Sequence, residues 1–392
     1  MRNSIIFFVF VLFVSCSDSS ERGAFKVINT LDLDRENETV RIPKAWIDLN
    51  KDEILENIGV LDENGTLQLL QYVDEDQNGS KDAILFQPKV LANSQSSYSL
   101  KKLMEQEENP SSQNECFSRF VPERTDDYTW ENDKVAFRMF GPVAQKMKEE
   151  GIAGGTLTSG IDCWLKRVEY PIINKWYKEH ESNPGAYHED TGEGFDNFHV
   201  GVSRGCGGIA VLRDGAYFTS KNFTSYQTTD NGYIRTAFEL DYAPWPVGDD
   251  QMIKSLKKIS LDKGSQLSRI EVAVEGVDVI SAGLTLHEND GEVNVDSLGG
   301  WISYWQPHGD NFLGMAIIAS PGTFLGYDKV VTEQPDLSHA YMHLAVKDGE
   351  SIYYSGFFWM KSRQFEGRKE WEAYLSKYAK QLANPLTISQ IN

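Results

Sequence analysis

Cysteine is scarce in this chain. Cys16, Cys116, Cys163 and Cys206 are the four among 392 residues, and no C-x-x-C pair occurs. That excludes a disulfide scaffold. Basic residues are also in deficit, 38 against 58 acidic ones, giving a net charge of −20. A chain that is acidic throughout offers no basic face for nucleic acid. An anionic substrate would need a local cationic pocket, working against an unfavourable overall field. The G-x-S-x-G nucleophile elbow and the Walker phosphate loop are missing, and no Glu follows His339 to make a zincin helix. No apolar run beyond the first fifteen residues could cross a bilayer, and no internal repeat is present.

What is there suffices for a large core: 40% of residues are apolar and 12% aromatic, which rules out global disorder. The N-terminus reads as a processing signal. Arg2 supplies the cationic start, residues 5–14 the short apolar stretch, and Phe13-Val14-Ser15-Cys16 resembles a bacterial lipobox. Residues 1–15 are therefore expected to be a lipoprotein signal peptide, Cys16 the lipidation site, and residues 16–24 a polar tether. The expected location is the periplasm, with attachment to the membrane, the outer one in this reading, by lipid alone. Three cysteines would remain in an oxidising compartment, enough for one disulfide at most.

Residues 25–105 read as short strands broken by turns at Asp62-Glu63-Asn64-Gly65 and at 74–82, and form a possible N-terminal subregion. Residues 106–115 look like a loop. Beyond 117 strands dominate: residues 134–140, 234–240 and 270–274 alternate. Hairpins are expected over 208–223 around Asp214-Gly215 and over 340–358 around Asp348-Gly349. Helices are few. Residues 366–382 carry Trp371, Leu375 and Tyr378 on one stripe, and 163–179 is apolar but interrupted by Pro171. The pattern predicts an all-β sandwich with few helices and a C-terminal helix, residues 25–392 forming one large catalytic domain.

Several constellations could carry chemistry. Residues 160–168 and 187–208 bring together Lys166, His188, His199 and Arg204 with carboxylates, Trp164 and many glycines. The bland alternative is an ion-paired surface loop. His339, Tyr341 and His343 would share one face of a strand, offering a base, an acid or metal ligands; otherwise they are a half-exposed sheet face. Trp301 and Trp305 could stack on sugar rings or simply fill a core. Asp74, Asp76, Asn78 and Asp82 begin like a calcium loop, but the twelfth position is Leu85, so an Asx-rich turn is the simpler reading.

Phe117-Ser118-Arg119-Phe120-Val121-Pro122-Glu123-Arg124, Trp130 through Arg138 with Gly141-Pro142, residues 160–167 and residues 187–208 together resemble the family known as domain of unknown function 4861. The likeness runs from about residue 25 to 385. It implies a supersandwich fold like that of galactose mutarotase. It also implies the oligosaccharide dehydratase activity of ulvan breakdown, in which water leaves a non-reducing-end glucuronate to give the 4,5-unsaturated sugar. Such a reaction needs charge neutralisation at the uronate carboxylate, a base for the C5 proton and an acid for the 4-hydroxyl. Arg204 is the expected carboxylate clamp, with Lys166 and Arg138 adding charge. His199, His188, His339 and Tyr341 are candidates for base and acid, and Trp164, Trp301 and Trp305 for sugar contacts. No organic cofactor is implied; a divalent metal could replace the arginine. Uronic-acid oligosaccharides, sulfated or not, are the expected partners. A glycoside hydrolase, a sugar epimerase and a non-catalytic glycan-binding lipoprotein are the rival readings.

Overall fold

The computed structural model describes residues 21–391. The expected signal peptide, the Cys16 lipidation site and residues 17–20 of the tether lie outside them; residues 21–24, expected as tether, instead open strand Glu21–Asn29, held by pairing with Ser94–Lys102. The architecture is a large antiparallel β-sandwich. One sheet has eight strands, in the order Phe223–Asp230, Arg235–Tyr242, Ser255–Asp262, Leu267–Val274, Glu350–Trp359, Asn311–Ala319, Trp301–His308, Glu292–Asp296. A five-stranded sheet faces it, in the order Ala216–Phe218, Cys206–Arg213, Val279–Thr285, His339–Ala345, Phe324–Val330. Their inner faces share one core, with Ile209, Ala282 and Met342 from one sheet and Phe238, Ile270 and Ile317 from the other. Strand Arg235–Tyr242 shows why: Thr236, Phe238, Leu240 and Tyr242 are buried while Arg235, Ala237, Glu239 and Asp241 are half-exposed.

A second five-stranded sheet adds Tyr128, Trp130, Phe137 and Leu165 to that core. Its order is Gly194–Phe195, Asp162–Lys166, Ala136–Phe140, Asp127–Glu131, Phe117–Val121. Here the expected alternation fails, because Ala136–Phe140 is buried on both faces. The outer face is covered by helix α2 (Ile173–Ser182) and Tyr187, which pack on Ala136 and Trp164. Pro171 does not kink a helix; it separates strand Asp162–Lys166 from α2, so the first half of the 163–179 segment is strand.

The 208–223 hairpin forms, with Asp214 and Gly215 both at positive φ (51° and 79°). The second expected hairpin does not. Asp348-Gly349 makes a tight turn, but His339–Ala345 pairs with Val279–Thr285 and Phe324–Val330, while Glu350–Trp359 pairs with Leu267–Val274 and Asn311–Ala319. The turn hands the chain from one sheet to the other. Helix α1 (Pro142–Glu149) was not foreseen; Pro142 at its first turn is the signal for it. Helix α3 (Arg368–Ala383) lays Trp371, Leu375 and Ala379 on the outer face of the eight-stranded sheet. The N-terminal strands, with Thr387–Ile391, enclose a core of their own built on Phe25, Ile42, Ile84, Phe86 and Leu100. Cys116, Cys163 and Cys206 are buried free thiols.

Candidate active site

The register of the second sheet gathers charge onto its outer face. Asp162 pairs with Arg138, Arg138 with Thr129, and Phe140 with Asp127, so Arg138, Asp162 and Asp127 point the same way. Arg138 donates to Asp162 Oδ2 from Nε (2.8 Å) and Nη2 (2.5 Å), and Nη2 also reaches Asp196 Oδ2 at 2.8 Å. Its Nη1 lies 3.7 Å from Asp127 Oδ2. Asp127 in turn accepts from Arg124 Nη1 at 3.2 Å and from the Tyr177 hydroxyl at 3.0 Å. The guanidinium of Arg138 lies over Phe140 and Trp164, 5.0 and 5.2 Å from the ring centroids.

Three buried carboxylates share two guanidinium groups. Burial pushes Asp127 up to about 6 despite Arg138 and Arg124. Burial also raises the Asp162 carboxyl, with Asp196 and Asp127 adding like-charge repulsion against the pull of Arg138. Arg138 Nη1 and Asp162 Oδ1 are buried without a hydrogen-bond partner.

Above this floor opens a cleft of about 490 Å³, bounded by Arg124, Arg138, Lys148, His188, residues 196–202 and Asp336. Both imidazoles stand at its mouth, with side chains 53% and 68% exposed for His188 and His199. His188 Nδ1 lies 2.5 Å from the Asp196 carbonyl oxygen. A carbonyl only accepts, so Nδ1 carries the hydrogen and Nε2 is left with a lone pair. The His199 carbonyl accepts from His287 Nε2 at 2.9 Å, and His308 Nε2 holds the Asn197 side chain at 2.9 Å. Burial lowers His308 to about 4. Lys148, exposed on α1, makes no ion pair with the described residues.

Of the residues singled out by sequence, His188, His199 and Arg138 meet here. Arg204 does not. It is 3% exposed, and its guanidinium donates to Ser159 Oγ (2.9 Å) and to the carbonyls of Val202 (3.1 Å) and Ile209 (3.3 Å). No carboxylate faces it: Asp190 pairs with Arg167 and Asp196 with Arg138. Lys166 is fully buried in an ion pair with Glu131 at 2.8 Å. His339 and Tyr341 do share a strand face, but both are buried. His339 Nε2 accepts the Arg204 N–H at 3.0 Å, and the Tyr341 ring stacks on Tyr217 at 3.8 Å.

Trp164 is core, and Trp301 and Trp305 pack beneath α3, so none offers an open stacking surface. Asp74, Asp76 and Asp82 lie close enough to share an ion, yet Asp74 accepts the N–H groups of Asn78 and Gly79, and Asp82 that of Glu75, as a turn joining two strands requires. Arg124, Asp127, Asp162, Lys148 and Asp336 were not singled out. Asp162 and Arg124 lie inside motif segments already noted, but nothing local marks Asp336, which is 137 residues from His199.

The chain is an antiparallel β-sandwich with a cleft lined by Arg124, Arg138, Lys148, His188 and His199. The chain belongs to the family described as domain of unknown function DUF4861, whose profile matches residues 27–388. It is 48% identical over 383 residues, 96% of each chain, to a protein of Formosa agariphila described as "Uncharacterized protein P7". Among solved structures it is similar to a protein in the glycosyl hydrolase family 38 from Enterococcus faecalis, with a TM-score of 0.52 and 11% identity. That match covers 95% of this chain and 47% of the other, so the chain spans about half the length of that structure. At that identity the likeness is one of fold.

Proposed function

We propose that the protein is a hydro-lyase acting on uronic-acid oligosaccharides, removing water from a terminal glucuronate. The observation that carries this reading is the meeting, in one cleft, of two exposed imidazoles, His188 and His199, with the exposed Lys148 and the partly exposed, Asp127-paired Arg124. The uronate carboxylate would lie against those cations, which offset the charge that builds as the C5 proton leaves. His188, with its Nε2 lone pair, takes that proton. His199 gives a proton to the departing 4-hydroxyl. The C5–H and C4–O bonds break, a C4=C5 double bond forms, and water departs. Arg138 is held by its aspartates: its buried Nη1 makes no hydrogen bond but lies 3.7 Å from Asp127 Oδ2.

Incubation with a saturated glucuronate-terminated oligosaccharide tests this. The expected result is the ultraviolet absorbance of a conjugated unsaturated uronate and a mass lower by one water, with chain length unchanged. His188→Asn should lower turnover by about 10²–10⁴, the usual contribution of a general base. Shortened chains without an unsaturated product would replace this reading with a hydrolase.

A further inference from the structure

We infer that Asp336 is a positioning residue that fits His199 to act as the proton donor of the pair, and that residue 201 is glycine because this contact requires it. The inference rests on the hydro-lyase reading above. His199 Nε2 lies 3.1 Å from Asp336 Oδ1 and 3.2 Å from Oδ2. An ionised carboxylate only accepts, so Nε2 keeps its hydrogen whether the ring is neutral or protonated. Nδ1 is then the nitrogen that gains and loses the exchangeable proton, and the carboxylate offsets the charge of the imidazolium that must exist before a proton is given. His188 is wired the other way. A neutral peptide carbonyl holds its Nδ1–H, and the nearby Asp196 carboxylate is bound to Arg138. One ring is set to receive a proton and the other to release one.

The contact joins distant parts of the chain. His199 lies in the segment after Gly194–Phe195, and Asp336 in the short turn Pro335–Leu337 that leads into His339–Ala345. Gly201 sits between them at φ +49°, and a Cβ there would fall 2.1 Å from Asp336 Oδ2 and 2.7 Å from His199 Nε2. Any side chain would push the pair apart as well as strain the backbone. The His287 bond to the His199 carbonyl fixes the backbone of the same residue.

The test uses the full chain with Asp336→Asn, Asp336→Ala, Asp336→Glu and Gly201→Ala. It measures turnover and KM on a glucuronate-terminated oligosaccharide, melting temperature, and the ¹⁵N resonances of the His199 ring. Asp336→Asn and Asp336→Ala should lower kcat by roughly tenfold to a hundredfold, by analogy with the loss of a partner that orients a metal-bound imidazole. KM should change less than about twofold, because uniform binding is untouched. Asp336→Glu should regain part of the loss, and Gly201→Ala should match Asp336→Ala. The wild-type ring should show Nε2–H as its neutral tautomer, and Asp336→Ala a mixture. Near-wild-type turnover in a folded Asp336→Ala protein, or an unchanged tautomer, overturns the inference. If the wild type dehydrates no uronate, the hydro-lyase reading fails on its own. The tautomer comparison then still decides whether Asp336 sets the His199 ring, and a mixture already present in the wild type overturns that too.

Discussion

Lys257 sits in strand Ser255–Asp262 with its side chain fully buried and no ion pair with the described residues. Its Nζ donates to the Ser159 carbonyl at 3.3 Å and lies 4.6 Å from the Tyr242 ring centroid. Arg204, a second buried cation that makes no ion pair with the described residues, donates to the hydroxyl of the same serine. Burial, with Arg204 as a like charge, lowers Lys257 to about 7. In the unfolded chain a lysine keeps its proton up to about pH 10.4. Between these values the unfolded state binds more protons than the folded one, so this group's contribution to stability rises with pH through that window and is lost as pH falls toward 7. A shift of three to four units at ~1.4 kcal/mol each sets a ceiling of about 5 kcal/mol on the penalty, of which about 2 kcal/mol is relieved between pH 7 and pH 9. Lys257→Met keeps the packing of the stem and removes the titration. The variant should be the more stable protein near pH 7, and its advantage should shrink by about 2 kcal/mol on going to pH 9. Urea unfolding of both proteins at matched pH values measures the gap, and the subtraction cancels groups common to both. A gap independent of pH, or a variant less stable than wild type at neutral pH, refutes the argument.

Glu131→Gln leaves Lys166 buried beside a neutral partner and weakens the bonds from the Ile172 and Ile173 N–H groups. It should cost about 3–5 kcal/mol in denaturant unfolding. Burial lowers His339 to about 3, so the folded protein holds it neutral while the unfolded chain protonates it below about pH 6.5. Its contribution is present above that pH and is lost as acid is added, by up to about 1.4 kcal/mol per pH unit. His339→Gln should therefore show a shallower acid-unfolding profile than wild type, and identical profiles would show that His339 carries none of the acid sensitivity.

Much of the sheet architecture was legible because one face of most strands meets the core and the other does not, as in Arg235–Tyr242. The reading failed where both faces are buried. Residues 134–140 were expected to alternate, and only the covering by α2 and Tyr187, set by contacts distant in sequence, explains why they do not. Asp348-Gly349 announced a turn correctly, but a turn signal does not say whether the two strands stay in one sheet. The site was half legible. His188 and His199 stand out as titratable groups in a glycine-rich segment. Arg204 lies inside the protein rather than in the cleft because small neighbours that admit a ligand equally admit close packing of the protein's own backbone: a Cβ at Gly205 would lie 2.0 Å from the Ile161 carbonyl oxygen. Asp336 had no local signal at all.

The buried Arg138 network has a purpose other than holding substrate. Asp162 and Asp127 come from strands adjacent to Arg138, whereas Asp196 comes from the segment that carries both histidines. Its side chain binds the guanidinium and its carbonyl fixes His188, so one residue ties the ring to the rigid sheet. Breaking such a pair leaves an unpaired buried charge, which makes the tie costly to release. Three residues on, His287 and Asp336 hold His199 by its carbonyl and its ring. A loop secured at both histidines acquires the positional precision of the strands beneath it. Arg138→Lys should therefore affect both rings together: a single ammonium cannot reproduce the planar fork that joins Asp162 to Asp196. The expected outcome is a large loss of turnover with altered ¹⁵N signals for His188 and His199 alike, whereas a loss of substrate affinity with unaltered rings would return Arg138 to the role of a substrate contact.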